Sequence, residues 1–217
     1  MHADELLAEL KRHANPERAA PMAAYMKHRF DYLGIAKPQL AKICKPFLKN
    51  AVAEQVDWRF IKQCWASPWR EMQYAALQYL QAVQKKLTPK DIPRLQRLIS
   101  EKSWWDTADC LDRIVGGIAL AYPEVNATLL TWSQSDNLWL RRVAIDHQLL
   151  RKAQTDTDLL EQILCNNLGQ SEFFINKVIG WALRDYSKTS PQWVRTFIDK
   201  HCSRMAKLSV REASKYL

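Results

Sequence analysis

Five serines set a period along this chain. Ser67, Ser103, Ser135, Ser171 and Ser209 each precede an apolar pattern of helical spacing, at successive separations of 36, 32, 36 and 38 residues. A serine hydroxyl is a favourable N-cap because it accepts a hydrogen bond from an otherwise unpaired N–H of the first turn. Ser103-Trp104-Trp105-Asp106 and Ser209-Val210-Arg211-Glu212 fit the capping-box pattern, the first with Asp in place of Glu. Shorter helical segments fall between them, over 89–99, 123–132, 158–168 and 191–201. A helix pair of this size cannot bury its own apolar face and must stack on the next. The spacing therefore predicts an all-α, HEAT-like helical-repeat solenoid with helix pairs over 51–217, whose concave face is the usual binding surface. Upstream, 4–13, 18–30 and 38–50 read as three helices that cap one end. Sustained strand-type alternation and a dividing linker are both missing, so one domain over 1–217 is expected.

Composition narrows the partners. A net charge of +9 and nine tryptophans raise nucleic acid as the first partner to consider. No apolar run approaches the ~20 residues of a membrane span. The first residues carry Asp4 and Glu5 where a secretory signal would carry Lys or Arg, so the cytoplasm and no membrane partner are expected. Five scattered cysteines form no C-x-x-C pair, and His13, His28, His147 and His201 show no metal-ligand spacing. Neither metal nor cofactor is expected, and Cys110 reads as a packed thiol with no histidine base near it in sequence.

The second, sixth and tenth residues after each serine share one helix face. They are Trp69, Gln73 and Leu77; Trp105, Asp109 and Arg113; Asn137, Arg141 and Ile145; Phe173, Lys177 and Trp181; then Arg211 and Lys215. Aromatic rings at this spacing are more often core than ligand-facing. Repeated charges on the same stripe argue for a partly wet surface, because a buried unpaired charge is costly. Arg142 adjoins it.

The stretch Lys102-Ser103-Trp104-Trp105-Asp106-Thr107-Ala108-Asp109 resembles the AlkD family of DNA alkylation repair glycosylases. So do Ser135-Asp136-Asn137-Leu138-Trp139-Leu140-Arg141-Arg142 and Glu172-Phe173-Phe174-Ile175-Asn176-Lys177-Val178-Ile179-Gly180-Trp181-Ala182-Leu183-Arg184-Asp185-Tyr186. Near the N-terminus, Asn15-Pro16-Glu17 and Pro21-Met22-Ala23-Ala24-Tyr25-Met26-Lys27 are of the same type. The resemblance implies a catalytic carboxylate at Asp109, aromatic walls at Trp105 and Trp181, and an arginine gripping the DNA backbone at Arg142. It implies DNA-facing roles for Tyr25, Phe173, Phe174, Lys177 and Arg184. Lys27, Lys102, Trp69 and Arg141, from the same motifs and the stripe, complete the expected surface together with Lys152. Family members often carry Q-L-K-Y-K where this chain has Gln148-Leu149-Leu150-Arg151-Lys152, which makes Arg151 a candidate replacement contact.

The implied activity is hydrolysis of the N-glycosidic bond of cationic N3- or N7-alkylated purines in duplex DNA, by a monomer that does not flip the base into a pocket. A cationic purine is already a good leaving group, so the general acid common in sugar hydrolysis is less necessary. One carboxylate can stabilise the oxocarbenium charge and position water. Taken without the motif, Asp109 reads as half of a structural ion pair. The rival reading of the chain is a non-catalytic HEAT-like DNA-binding or protein-scaffold module.

Overall fold

The structure is a computed structural model that describes residues 2–49 and 55–217. The expected helix end at Asn50 and the boundary between caps and repeats at 50/51 lie outside the described residues. Among the described residues there are thirteen α-helices and no strand, as the periodicity predicts. No helix among them is long and apolar enough to cross a membrane. Two compact units divide the chain, 1–87 and 88–217.

The first unit holds α1 (Ala3–Arg12), α2 (Pro16–Tyr25), α3 (Lys37–Leu48), α4 (Trp58–Ala66) and α5 (Arg70–Val83). Asn15 caps α2 by accepting from the Arg18 N–H at 3.0 Å, with Pro16 supplying a preset first residue. Asp57 caps α4 through the Phe60 N–H. Helix α5 is buried along most of its length, and Glu71 on it accepts three backbone N–H bonds from Leu33, Gly34 and Ile35 at 2.9–3.1 Å. Gly34 is required in that loop: its φ is +83° and a Cβ would strike the Asn15 carbonyl.

The second unit holds α6 (Ile92–Ser100), α7 (Trp105–Ala121), α8 (Asn126–Trp132), α9 (Leu138–Asp146), α10 (Thr157–Cys165), α11 (Phe173–Ser187), α12 (Pro191–His201) and α13 (Lys207–Ala213). Alternate members stack in a row, α7 on α9, α9 on α11 and α11 on α13, while α6, α8 and α12 each pack on a member of that row. Leu95, Leu111, Val143, Ile163, Ile179 and Leu183 fill the space between, each worth about 1.5–3 kcal/mol when fully buried. Buried Asn167 ties the α10 end to the α8 end by donating to the Ser133 carbonyl at 2.9 Å.

The serines mark the helix entries but do not cap as expected. The N-caps of α5, α7, α9 and α11 are Trp69, Trp104, Asn137 and Glu172, one or two residues later. Ser67 and Ser135 accept instead from the N–H two residues on, and Ser103 donates to the Ile99 carbonyl at the end of α6. Ser209 lies inside α13, buried, and donates to the Asn176 carbonyl of α11. A hydroxyl at a tight inter-helix corner serves either side of it, so the serine period reports the corner and not the cap.

Candidate active site

The row α7–α9–α11 brings the principal expected residues together. Asp109 lies one turn after Trp105 on α7, Arg142 on α9 and Trp181 on α11. Arg142 grips Asp109 with both prongs, Nε to Oδ1 at 2.7 Å and Nη2 to Oδ2 at 2.9 Å. Its third face donates from Nη1 to the Phe174 carbonyl at 2.7 Å. The arginine side chain is 2% exposed and the aspartate 18%. Burying a guanidinium is costly, and the bidentate fork with a third acceptor offsets that cost. A carboxylate oriented to this degree presents a fixed negative charge at the surface. Arg142, expected to grip the DNA backbone, is thus committed within the protein: it orients Asp109.

Two more acids lie behind the pair. Asp112 and Asp146 are buried, and among the described residues no donor reaches Asp112 Oδ2 or Asp146 Oδ1. A proton held between the two carboxyls would satisfy both oxygens. Burial, with Asp146 and Asp109 nearby, pushes Asp112 well above the usual carboxylate range. Burial also raises Asp146 to about 7, against the opposing pull of Arg142. A carboxyl raised in the folded chain holds a proton that the unfolded chain releases, so stability falls as pH rises from about 4 to about 7. Asp146→Asn removes this ionisation. Its stability relative to the parent is expected to rise between pH 5 and pH 8 by about 1–3 kcal/mol, read by urea unfolding. His147, which burial lowers to about 3, gives the opposite slope but is common to both proteins and cancels. A pH-independent difference would exclude the shared proton.

Aromatic packing fixes the entries of the three helices. Trp104, Trp139 and Phe174 touch pairwise at centroid distances of 5.0–5.6 Å. Phe174, expected to face DNA, therefore turns its ring into this cluster and lends its carbonyl to Arg142. Phe173 beside it is exposed and packs edge-on against Phe174 at 5.3 Å.

Trp181 is half-buried, with Arg142, Lys177 and Arg184 at 5.3, 5.8 and 5.9 Å from its ring. Glu212 on α13 gathers Lys177 at 2.8 Å, Arg184 at 3.0 Å and Lys215 at 2.8 Å. The hydrogen bonds from Lys177 and Lys215 hold Glu212 down at about 2. Gly180 permits this approach of α13, since a Cβ there would lie 2.5 Å from Glu212 Cβ. Two expected DNA-facing cations are thus paired inside the protein.

Several stripe positions are core. Gln73 is buried and donates to the Cys64, Trp65 and Ser67 carbonyls at the end of α4; Leu77 and Ile145 are buried too. Residues four apart advance by 400°, so the stripe drifts around each helix and its burial differs between helices: Leu77 and Ile145 are buried, whereas Arg113 is exposed and Trp181 half-buried. Arg151 is also committed internally, donating to the Gly116 carbonyl at 2.7 Å and to Gln148. In the first unit, Tyr25 is 71% exposed, Lys27 exposed and Trp69 half-buried. Lys102 and Arg141 are half-buried and Lys152 is exposed. The sequence motifs assign no site role to Asp112, Asp146, Glu212 or Trp139, although Asp112 and Asp146 stand three and four residues past Asp109 and Arg142, within reach on a helix. No local metal motif exists, yet Glu161, Cys165 and His201 converge across two helices.

These features define an all-helical protein whose surface carboxylate is fixed by a buried arginine beside a cation-ringed indole. The family model for DNA alkylation repair enzymes matches residues 6–217, and the chain belongs to that family. It is similar to a solved structure described as a predicted DNA alkylation repair enzyme from Enterococcus faecalis, with 33% identity and a TM-score of 0.88 over 94% of this chain and 96% of that one. The structure of smu.31 from Streptococcus mutans UA159 shares the fold, with 18% identity and a TM-score of 0.61 over 83% of this chain and 98% of that one. No curated protein matches the chain significantly.

Proposed function

We propose that the chain is a DNA glycosylase that hydrolyses the N-glycosidic bond of cationic N3- and N7-alkylated purines in duplex DNA. The observation that carries the reading is the partly exposed Asp109 held in one orientation by buried Arg142. A fixed carboxylate opposes the positive charge that develops on the sugar, and it does so without reorganising during the reaction. Trp105 and Trp181 attract the cationic base or the sugar edge through their π faces, at ~0.5–2 kcal/mol each. The base is not turned into a pocket. The chain acts as a cytoplasmic monomer and as one functional domain. The test scores abasic sites in duplexes carrying 3-methyladenine or 7-methylguanine beside duplexes carrying uracil or hypoxanthine. Release of the cationic bases alone is expected, and a bulky N7 adduct should be released as well. Binding without release favours the non-catalytic module.

Backbone strain supports the DNA-facing role of three lysines. Lys27, Lys102 and Lys152 have φ of 57°, 50° and 54°, a left-handed conformation that glycine adopts freely. Holding a lysine there costs about 1–2 kcal/mol relative to glycine, and each of the three carries the positive charge that a phosphate backbone attracts. Lys102→Gly is expected to stabilise the protein by up to about 1 kcal/mol while weakening duplex binding. Thermal melts and fluorescence anisotropy read the two effects. Unchanged binding would leave Lys102 without a role at the interface.

A further inference from the structure

Outside this site, α10 and α12 bring three metal-ligating side chains of different chemistry to one point. Glu161 and Cys165 stand one turn apart on α10, and His201 is the last residue of α12. His201 Nε2 lies 3.4 Å from Glu161 Oε1 and 3.7 Å from Cys165 Sγ, and the three ligand atoms all lie within 4.8 Å of one another. A tetrahedral zinc with bonds of about 2.0–2.3 Å holds its nitrogen, oxygen and sulfur ligands roughly 3.3–3.6 Å apart. Two edges of that tetrahedron already stand close to those spacings.

We propose that Glu161, Cys165 and His201 form a transition-metal site, best suited to Zn2+, that clamps α10 to α12. A mixed thiolate, imidazole and carboxylate set favours zinc over magnesium or calcium, which take oxygen ligands. Three protein ligands leave the fourth position to water. The rival use of these residues is a cysteine nucleophile with a histidine base. That relay needs the two ring nitrogens to serve different partners, whereas here Nε2 is the atom nearest both Cys165 and Glu161. Convergence on one atom suits a central ion and not a relay.

Burial and Glu161 raise the Cys165 thiol above its ordinary value, so metal binding must release its proton to water as the Zn–S bond forms. Lys200 Nζ is the resident cation, 2.7 Å from Glu161 Oε1. Its side chain is 62% exposed and can swing into solvent when a divalent ion takes its place. The Phe197 ring, 4.6 Å from the His201 ring, limits the imidazole's rotation.

The test titrates the reduced full-length protein with Co2+ and follows thiolate-to-cobalt charge-transfer absorption, then displaces the ion with Zn2+. One equivalent of absorption is expected, along with a rise in Tm on adding Zn2+. Cys165→Ser should abolish the band and His201→Gln should weaken binding at least about tenfold. Cys202→Ser, which removes the neighbouring exposed thiol, should change neither. On the unaltered chain, Zn2+ should slow alkylation of Cys165, mapped by mass spectrometry, a readout that needs no variant to fold. Absence of the band in the parent, its survival in Cys165→Ser, or unprotected Cys165 would each overturn the site.

Discussion

Asp109→Asn is expected to cut base excision by about 10²–10³-fold, the loss seen when one fixed electrostatic contact to a transition state is removed. Asparagine keeps the size and an acceptor oxygen but removes the charge, so the loss should fall on the chemical step more than on binding. The pair with Arg142 adds a second expectation. Breaking one partner of a buried ion pair costs about 3–5 kcal/mol, and here the cost should be smaller because Asn Oδ1 can still accept from Nε. The Phe174 carbonyl also still holds Nη1. Abasic-site formation, retention of damaged duplex and Tm are therefore measured together on the same protein. Activity at the parent level, with a lowered Tm, would show that Asp109 is structural.

Gly116→Ala is the second large effect. A Cβ at Gly116 would drive into the backbone carbonyl of His147, the residue that ends α9. Backbone cannot rotate away as a side chain can, so α7 and α9 must separate. A destabilisation of about 3 kcal/mol is expected, the upper end for overpacking. The same shift pulls Asp109 on α7 from Arg142 on α9. A misplacement of about 1 Å at a reacting group costs on the order of 10²-fold in rate. Gly117 is the internal control: a Cβ there meets nothing within 4 Å, so Gly117→Ala should be neutral or stabilising by up to about 1 kcal/mol. Equal melting temperatures and equal excision by both variants would contradict this coupling.

Local signals carried much of the fold and the centre of the site. Apolar periodicity located the helices because an amphipathic face must find a partner whatever the tertiary detail. The Trp105–Asp109 turn and Arg142 lie in contiguous motifs, and stacking of successive helices brings them together. Residues whose role depends on a partner one helix away were harder to read. Glu212 reads as a capping-box acid until α13 docks across Gly180 and its carboxylate gathers three cations instead. Asp112 and Asp146 perturb each other's ionisation only when α7 meets α9. Leu77 and Ile145 share their register with exposed Arg113 and half-buried Trp181, so position after the serine does not set burial; the packing of each helix does. Cys165 and His201 are 36 residues apart, beyond the reach of any local metal motif.

The carboxylate of Glu212 alters how the proposed DNA-facing helix would respond to ionic strength. Each phosphate neutralised by a free lysine or arginine releases condensed counterions, and the logarithm of affinity then changes by about −0.9 per contact against the logarithm of salt concentration. Lys177, Arg184 and Lys215 are not free, because each already has a carboxylate partner at 2.8–3.0 Å. When a phosphate captures one of them, an internal ion pair breaks as an external one forms. The displaced carboxylate must then be screened again by cations from solution. Part of the counterion gain is returned at that step, so the salt dependence of duplex binding should be shallower than the number of basic residues at the interface suggests.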